Sequence, residues 1–118
     1  MSDSIRRLYS SVLEARERDD EGSRTAKLMR EGVGKMAKKV AEEAVEVSLD
    51  AVAGNRHALI LESADLIYNL AVLWAGAGVT PDEVWEEMDR REKLYGIAEK
   101  LPKGSTDHLP KPALSRPR

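Results

Sequence analysis

The sequence of 118 residues holds 21 acids and 19 bases, for a net charge of −2, and no cysteine. That length suits one domain with a tail, and the charge balance excludes a bulk polyanion binder, so no nucleic-acid partner is expected. Zero cysteine excludes a disulfide framework, thiolate metal sites and a thiol nucleophile, and two histidines far apart in sequence exclude a His-rich metal site.

There is no long uncharged apolar run, and the Met-Ser-Asp-Ser start has no signal-peptide core. The expectation is a soluble, cytoplasmic protein with no membrane partner. Its chemistry must then come from carboxylates, lysines, arginines and hydroxyls. Phe is absent, aromatics are sparse, and Ala, Leu, Glu, Lys and Arg abound, a mix that favours helices over sheets.

Taken in chain order, residues 3–18 place Ile5, Leu8, Tyr9, Val12 and Leu13 on one stripe of an otherwise charged helix. Asp19, Asp20, Glu21 and Gly22 break it. Ser23 then caps a short second helix carrying Ala26, Leu28 and Met29, which ends near Gly32. A third helix runs from about Val33 to Ala53 on a stripe of Met36, Ala37, Val40, Ala44, Val47 and Ala51. Gly54 ends it and Asn55 caps the next. The fourth helix, from about Arg56 to Ala75 or Ala77, is the most apolar and ends at Gly76 and Gly78. Thr80-Pro81-Asp82-Glu83 is a strong start for a fifth helix, reaching about Lys93. The domain is expected over residues 1–101. Residues 102–118 hold Pro102, Pro110, Pro112 and Pro117 and read as an extended or disordered tail.

The fourth helix carries carboxylates where none belongs. At about 100° per residue, Glu62, Asp65 and Asn69 form one narrow strip, flanked by Leu66 and Leu73 on one side and Tyr68 and Val72 on the other. A helix apolar nearly all round is expected to be buried on most faces. Its acids are then buried too, and an unpaired buried carboxylate is costly. The third helix has Lys38-Lys39 followed by Glu42, Glu43 and Glu46, with Glu43 beside the apolar edge. Glu43/Glu46 and Glu62/Asp65 are both i, i+3 pairs, and the Gly-Asn turn makes an antiparallel hairpin that brings them together. No base on the fourth helix after Arg56 offsets them. A divalent cation resolves the conflict, and all-oxygen ligands suit Mg²⁺, or Mn²⁺, rather than Zn²⁺. The alternative for Glu42 and Glu46 is that they are surface partners of Lys38 and neighbouring bases.

Lys-Lys-Val-Ala-Glu-Glu-Ala-Val-Glu (38–46) and Glu-Ser-Ala-Asp-Leu-Ile-Tyr-Asn-Leu (62–70) resemble the phosphoribosyl-ATP pyrophosphohydrolase family of histidine biosynthesis. So do Leu8-Tyr9, Ser23-Arg24-Thr25-Ala26-Lys27-Leu28, Gly32 and Arg90-Arg91, so the likeness spans roughly residues 5–93. The acidic motifs alone belong to the wider all-α nucleotide pyrophosphohydrolases, which include MazG-like house-cleaning enzymes. The resemblance implies an all-α helical bundle completed by dimerisation, Mg²⁺ at the acidic cluster, and hydrolysis of phosphoribosyl-ATP to phosphoribosyl-AMP and pyrophosphate. By motif position, Glu43, Glu46, Glu62 and Asp65 look like the metal ligands, and Glu42 matches the preceding acid of the motif. Three positions depart from the family's pattern. Arg24 stands where Tyr is usual, Ala41 replaces a common Gly, and Asn69 replaces a common His.

The corresponding roles are as follows. Glu43 or Glu42 orients or deprotonates the attacking water, Glu42 having a surface ion pair as its rival role. Lys39, one turn before Glu43, is the first candidate for an anionic nucleotide's phosphate, with an i, i+4 pair to Glu43 as its alternative. Lys35 and Arg91 are weaker candidates. Asn69 either contacts substrate or bonds Asp65, or else is a buried structural residue. Trp74, Trp85 and Tyr68 are read as core or interface residues, and His57 and His108 as surface. Two other functions remain open: hydrolysis of free nucleoside triphosphates, and a non-catalytic metal-binding helical dimer.

Overall fold

The computed structural model describes residues 3–95, and every regular element among them is a helix. They are α1 (Ser4–Arg18), α2 (Arg24–Glu31), α3 (Val33–Ala53), α4 (Arg56–Ala77) and α5 (Pro81–Tyr95). The expected tail at residues 102–118, with His108, lies outside the described residues. The chain divides into two compact units, Met1–Glu83 and Val84–Arg118.

Local chemistry sets the boundaries. α1 stops where Asp19 takes a left-handed conformation (φ 51°) and its N–H bonds the Ala15 carbonyl. Asp and Asn tolerate that region better than most residues. Ser23 caps α2, its Oγ accepting from the Ala26 N–H at 3.0 Å. Gly32 joins α2 to α3 at φ +96°, which a side chain would strain. Asn55 Oδ1 accepts from the Ala58 N–H at 3.1 Å and starts α4 immediately after Gly54 closes α3. Thr80 and Glu83 make a reciprocal capping box: the Glu83 N–H donates to Thr80 Oγ1 (3.2 Å) and the Thr80 N–H to Glu83 Oε1 (2.9 Å).

α3 and α4 form an antiparallel hairpin, the most extensive helix contact in the first unit. Its open end is where α1 and α2 pack. Val12, Leu28, Met36, Val72 and Ala75 are buried there, ringed by Leu8, Tyr9, Leu13, Met29, Tyr68 and Leu73. Burying each larger aliphatic side chain contributes about 1.5–3 kcal/mol. Gly76 lets α3 approach. A Cβ at that position would lie 2.5 Å from Met36 Sδ.

One expectation needs correction. α4 is buried only in its second half, at Asn69, Ala71, Val72 and Ala75, rather than on most faces throughout. The reason is length. At 1.5 Å per residue, α1 and α2 span about 22 and 12 Å against about 33 Å for α4. Near the hairpin turn, Ile60 and Leu61 remain 51% and 54% exposed, and Ile67, Val45, Leu49 and Val52 are also exposed. By length and composition alone α4 also qualifies as a membrane span, but Glu62, Asp65 and Asn69 and its packing on α1, α2 and α3 make it the central helix of a bundle.

In the second unit the described residues form the body of α5. Glu87 there binds both Arg90 (2.8 Å) and Arg91 (2.9 Å), and the two guanidinium groups hold its carboxyl down at about 2.

Candidate metal centre

The hairpin brings the acids of α3 and α4 together midway along its length. One carboxylate oxygen from each of Glu43, Glu62 and Asp65 lies within 4.8 Å of the others. Glu43 is only 7% exposed, although it is an acid. Its Oε1 is buried without a hydrogen-bond partner, and among the described residues it is the only side-chain polar atom in that condition. Such an atom forfeits its hydration without protein compensation, at a cost of about 1–3 kcal/mol.

Glu62 reports the same crowding. Its pKa is raised to about 7, first by hydrogen bonding to Glu43, then by burial, then by Glu46. Clustered like charges share a proton because they cannot all ionise cheaply. The acid set therefore lacks one thing, positive charge on its inner side. Lys39 supplies part of it from the α3 side, its Nζ standing 3.8 Å from both Glu43 Oε2 and Glu42 Oε1. It leaves Glu43 Oε1 unpartnered. Oxygen-only donors, an orphaned buried carboxylate oxygen and mutual repulsion together fit a hard divalent cation held by Glu43, Glu62 and Asp65.

The remaining candidates divide by position. Glu46 acts on Glu62 but lies outside the set of three. Glu42 is exposed and tied to Lys39. Lys35 is exposed on α3, one turn before Lys39. Asn69 is 1% exposed and donates through Nδ2 to the Asp65 backbone carbonyl at 2.9 Å, so it braces the turn that carries Asp65. Arg91 belongs to the second unit and is engaged with Glu87. His57 is exposed.

One arrangement joins residues far apart in sequence. Arg24 lies over the Tyr68 ring, 4.7 Å from its centroid, and the Tyr68 hydroxyl is hydrogen bonded to Thr25 Oγ1. The only signal for it was that Arg24 departs from the pattern at its position.

Comparison with known proteins identifies a family and named relatives of the chain. A sequence model of the family described as phosphoribosyl-ATP pyrophosphohydrolase matches residues 5–92. A phosphoribosyl-ATP pyrophosphatase 2 of Rhodopseudomonas palustris is 67% identical over 103 residues, covering 87% of this chain and 79% of the relative. Its namesake in Bradyrhizobium diazoefficiens is 61% identical over 116 residues, covering 98% and 86%. The phosphoribosyl-ATP pyrophosphatase of Azospirillum brasilense is 52% identical over 94 residues, covering 80% and 85%. With the family match spanning most of its length and relatives this close, the chain belongs to the phosphoribosyl-ATP pyrophosphohydrolase family.

Proposed function

We propose that the protein hydrolyses phosphoribosyl-ATP to phosphoribosyl-AMP and pyrophosphate, in histidine biosynthesis, with Mg²⁺ as its cation and Mn²⁺ as a substitute. The observation that carries this reading is Glu43 Oε1, buried and unpartnered within a cluster of carboxylates contributed by α3 and α4. Family membership supplies the substrate, which the relatives' names state for those proteins.

Glu43, Glu62 and Asp65 would hold the cation, with Glu46 completing the set from the next turn of α3. When bound, the cation supplies charge neutralisation on the phosphate chain and acidifies a coordinated water. The chain's own residues do the rest. Glu42 and Glu43 are the acids available to orient the attacking water and take its proton. Lys39, already beside both, offers a point charge to a phosphate oxygen, and Lys35 a second one from the preceding turn. Arg91 is the weakest phosphate candidate of the set, as a contact made across a dimer interface. Asn69 fixes Asp65 through the α4 backbone.

A homodimer is part of the proposal. The exposed Val45, Leu49, Val52, Ile60, Leu61 and Ile67 form the half of the hairpin that α1 and α2 are too short to cover. A second copy would cover it, as closed twofold assemblies do. A cytoplasmic location is part of the same reading, since the substrate is a small soluble nucleotide.

A substrate panel with Mg²⁺ tests the function. The expected result is pyrophosphate release from phosphoribosyl-ATP, lost in the double variant Glu43→Gln/Glu62→Gln. Cleavage of deoxynucleoside triphosphates without turnover of phosphoribosyl-ATP would assign the house-cleaning activity instead. Metal-dependent stability without hydrolysis of either substrate would make the protein a non-catalytic metal-binding dimer.

A further inference from the structure

α2 begins at Arg24, directly behind its Ser23 cap, and lays that first side chain on α4. The Arg24 guanidinium stands 4.7 Å from the Tyr68 ring centroid, and the ring is held at its far end by the hydrogen bond between its hydroxyl and Thr25. The stack and the tether join the same two helices at adjacent residues, so each orients the other. A guanidinium resting on a ring face is attracted by the ring's quadrupole, and its N–H groups point outward in its own plane. Those groups are available. Arg6, Arg18 and Arg30 of the same unit each pair with an aspartate, whereas among the described residues no carboxylate pairs with Arg24, which is exposed.

The position matters as much as the charge. Tyr68 follows Asp65 by three residues, about 4.5 Å along α4 and 60° around it. Arg24 is therefore an oriented, unneutralised cation stacked on a residue one helical turn from Asp65. Phosphoribosyl-ATP carries phosphate at two ends: the triphosphate, and a monophosphate ester on its second ribose. A carboxylate-held cation suits the first, and a planar fork of N–H donors suits the second. Free nucleoside triphosphates have no second phosphate to offer.

We infer that Arg24, held on the Tyr68 ring, binds the ribose monophosphate of phosphoribosyl-ATP and so separates that substrate from free nucleoside triphosphates. This rests on the acid cluster being a pyrophosphohydrolase site. The contact is remote from the bond that breaks and is made equally before and during the reaction, so it acts on KM rather than kcat.

The test compares wild type with Arg24→Ala, Arg24→Lys and a control, Arg18→Ala. It measures steady-state turnover of phosphoribosyl-ATP with Mg²⁺, thermal midpoints, and turnover-free titration with phosphoribosyl-AMP and with AMP. Arg24→Ala is expected to raise KM by about 10–100-fold, as loss of a charge-assisted contact does, with kcat within about 3-fold. Phosphoribosyl-AMP affinity falls by the same factor, AMP affinity holds, Lys recovers part of the loss, and Arg18→Ala matches wild type. Unchanged KM and phosphoribosyl-AMP affinity with only a lower midpoint would overturn the inference and leave Arg24 a packing residue. Equal losses for AMP and phosphoribosyl-AMP would also overturn it, as would a wild type that binds the two alike. Arg24→Gln, which keeps a planar amide on the ring, serves if Ala unfolds the protein. Wild type that binds phosphoribosyl-AMP through Arg24 yet hydrolyses nothing would refute the proposed function while upholding the inference.

Discussion

Replacing Glu43 by Gln separates a buried acid kept for a cation from one kept for the fold. In the metal-free protein the Glu43 carboxyl group is only 7% exposed, with one oxygen unpartnered. An amide there can donate to the neighbouring carboxylates, which relieves a cost of about 1–3 kcal/mol. Against this, Lys39 loses its i, i+4 partner, about 0.3–0.5 kcal/mol, while retaining Glu42. The net expectation is a gain of about 1 kcal/mol, a midpoint about 4–8 °C higher for a fold of this size. With Mg²⁺ the order reverses. Wild type at 100 times its dissociation constant gains about 2.7 kcal/mol, and Glu43→Gln gains little. Turnover should fall by at least about 100-fold. The assay is thermal melting at one fixed protein concentration, in chelator and across an Mg²⁺ titration, with pyrophosphate release measured in parallel. A variant that melts well below wild type in chelator, yet keeps its Mg²⁺ response and its turnover, would refute the reasoning.

Three further expectations share the same basis. Because Glu62 titrates at about 7 in the metal-free fold, cation affinity should rise as pH climbs through 7, and isothermal titration from pH 6 to pH 8 would reveal it. Linkage gives the companion sign: the folded state holds a proton that unfolded Glu releases above its usual value near 4.5, so this group's contribution to metal-free stability falls between pH 4.5 and 7. Gly76→Ala should destabilise by about 1 kcal/mol in denaturant titration despite Ala's better helix propensity, because its Cβ meets Met36, itself buried. Leu61→Asp should leave the protein monomeric at micromolar concentration by sedimentation, where wild type is expected to sediment as a dimer.

Most helix boundaries were legible because they are written locally. Ser23, Asn55 and the Thr80–Glu83 box each act within three or four residues, and the structure makes the hydrogen bonds their types imply. The acid strip was legible for a related reason. Glu62 and Asp65 interrupt an apolar helix, and a two-residue turn fixes which part of α3 meets them. What local pattern could not give is contact across distance. The stacking of Arg24 on Tyr68 joins residues 44 positions apart, and the fit of Gly76 to Met36 joins residues 40 apart. Neither has a period or motif. The composition of α4 implied burial throughout, but composition does not record how far neighbouring helices reach. Ile60, Leu61 and Ile67 stay 51%, 54% and 44% exposed within one chain despite that composition. Asn69 was equally open. Its bond to the Asp65 carbonyl is made within its own helix, and only its burial, at 1% exposure, distinguishes a brace from a substrate contact.

The central claim is that the acid cluster of α3 and α4 holds a cation for cleaving phosphoribosyl-ATP. Its most direct test is pyrophosphate release from phosphoribosyl-ATP by the purified protein, with Mg²⁺ and with excess chelator. The account predicts one pyrophosphate and one phosphoribosyl-AMP per substrate with Mg²⁺, none in chelator, and recovery when Mg²⁺ is restored. Release that continues undiminished in chelator, or no release under either condition from a folded protein, would contradict it.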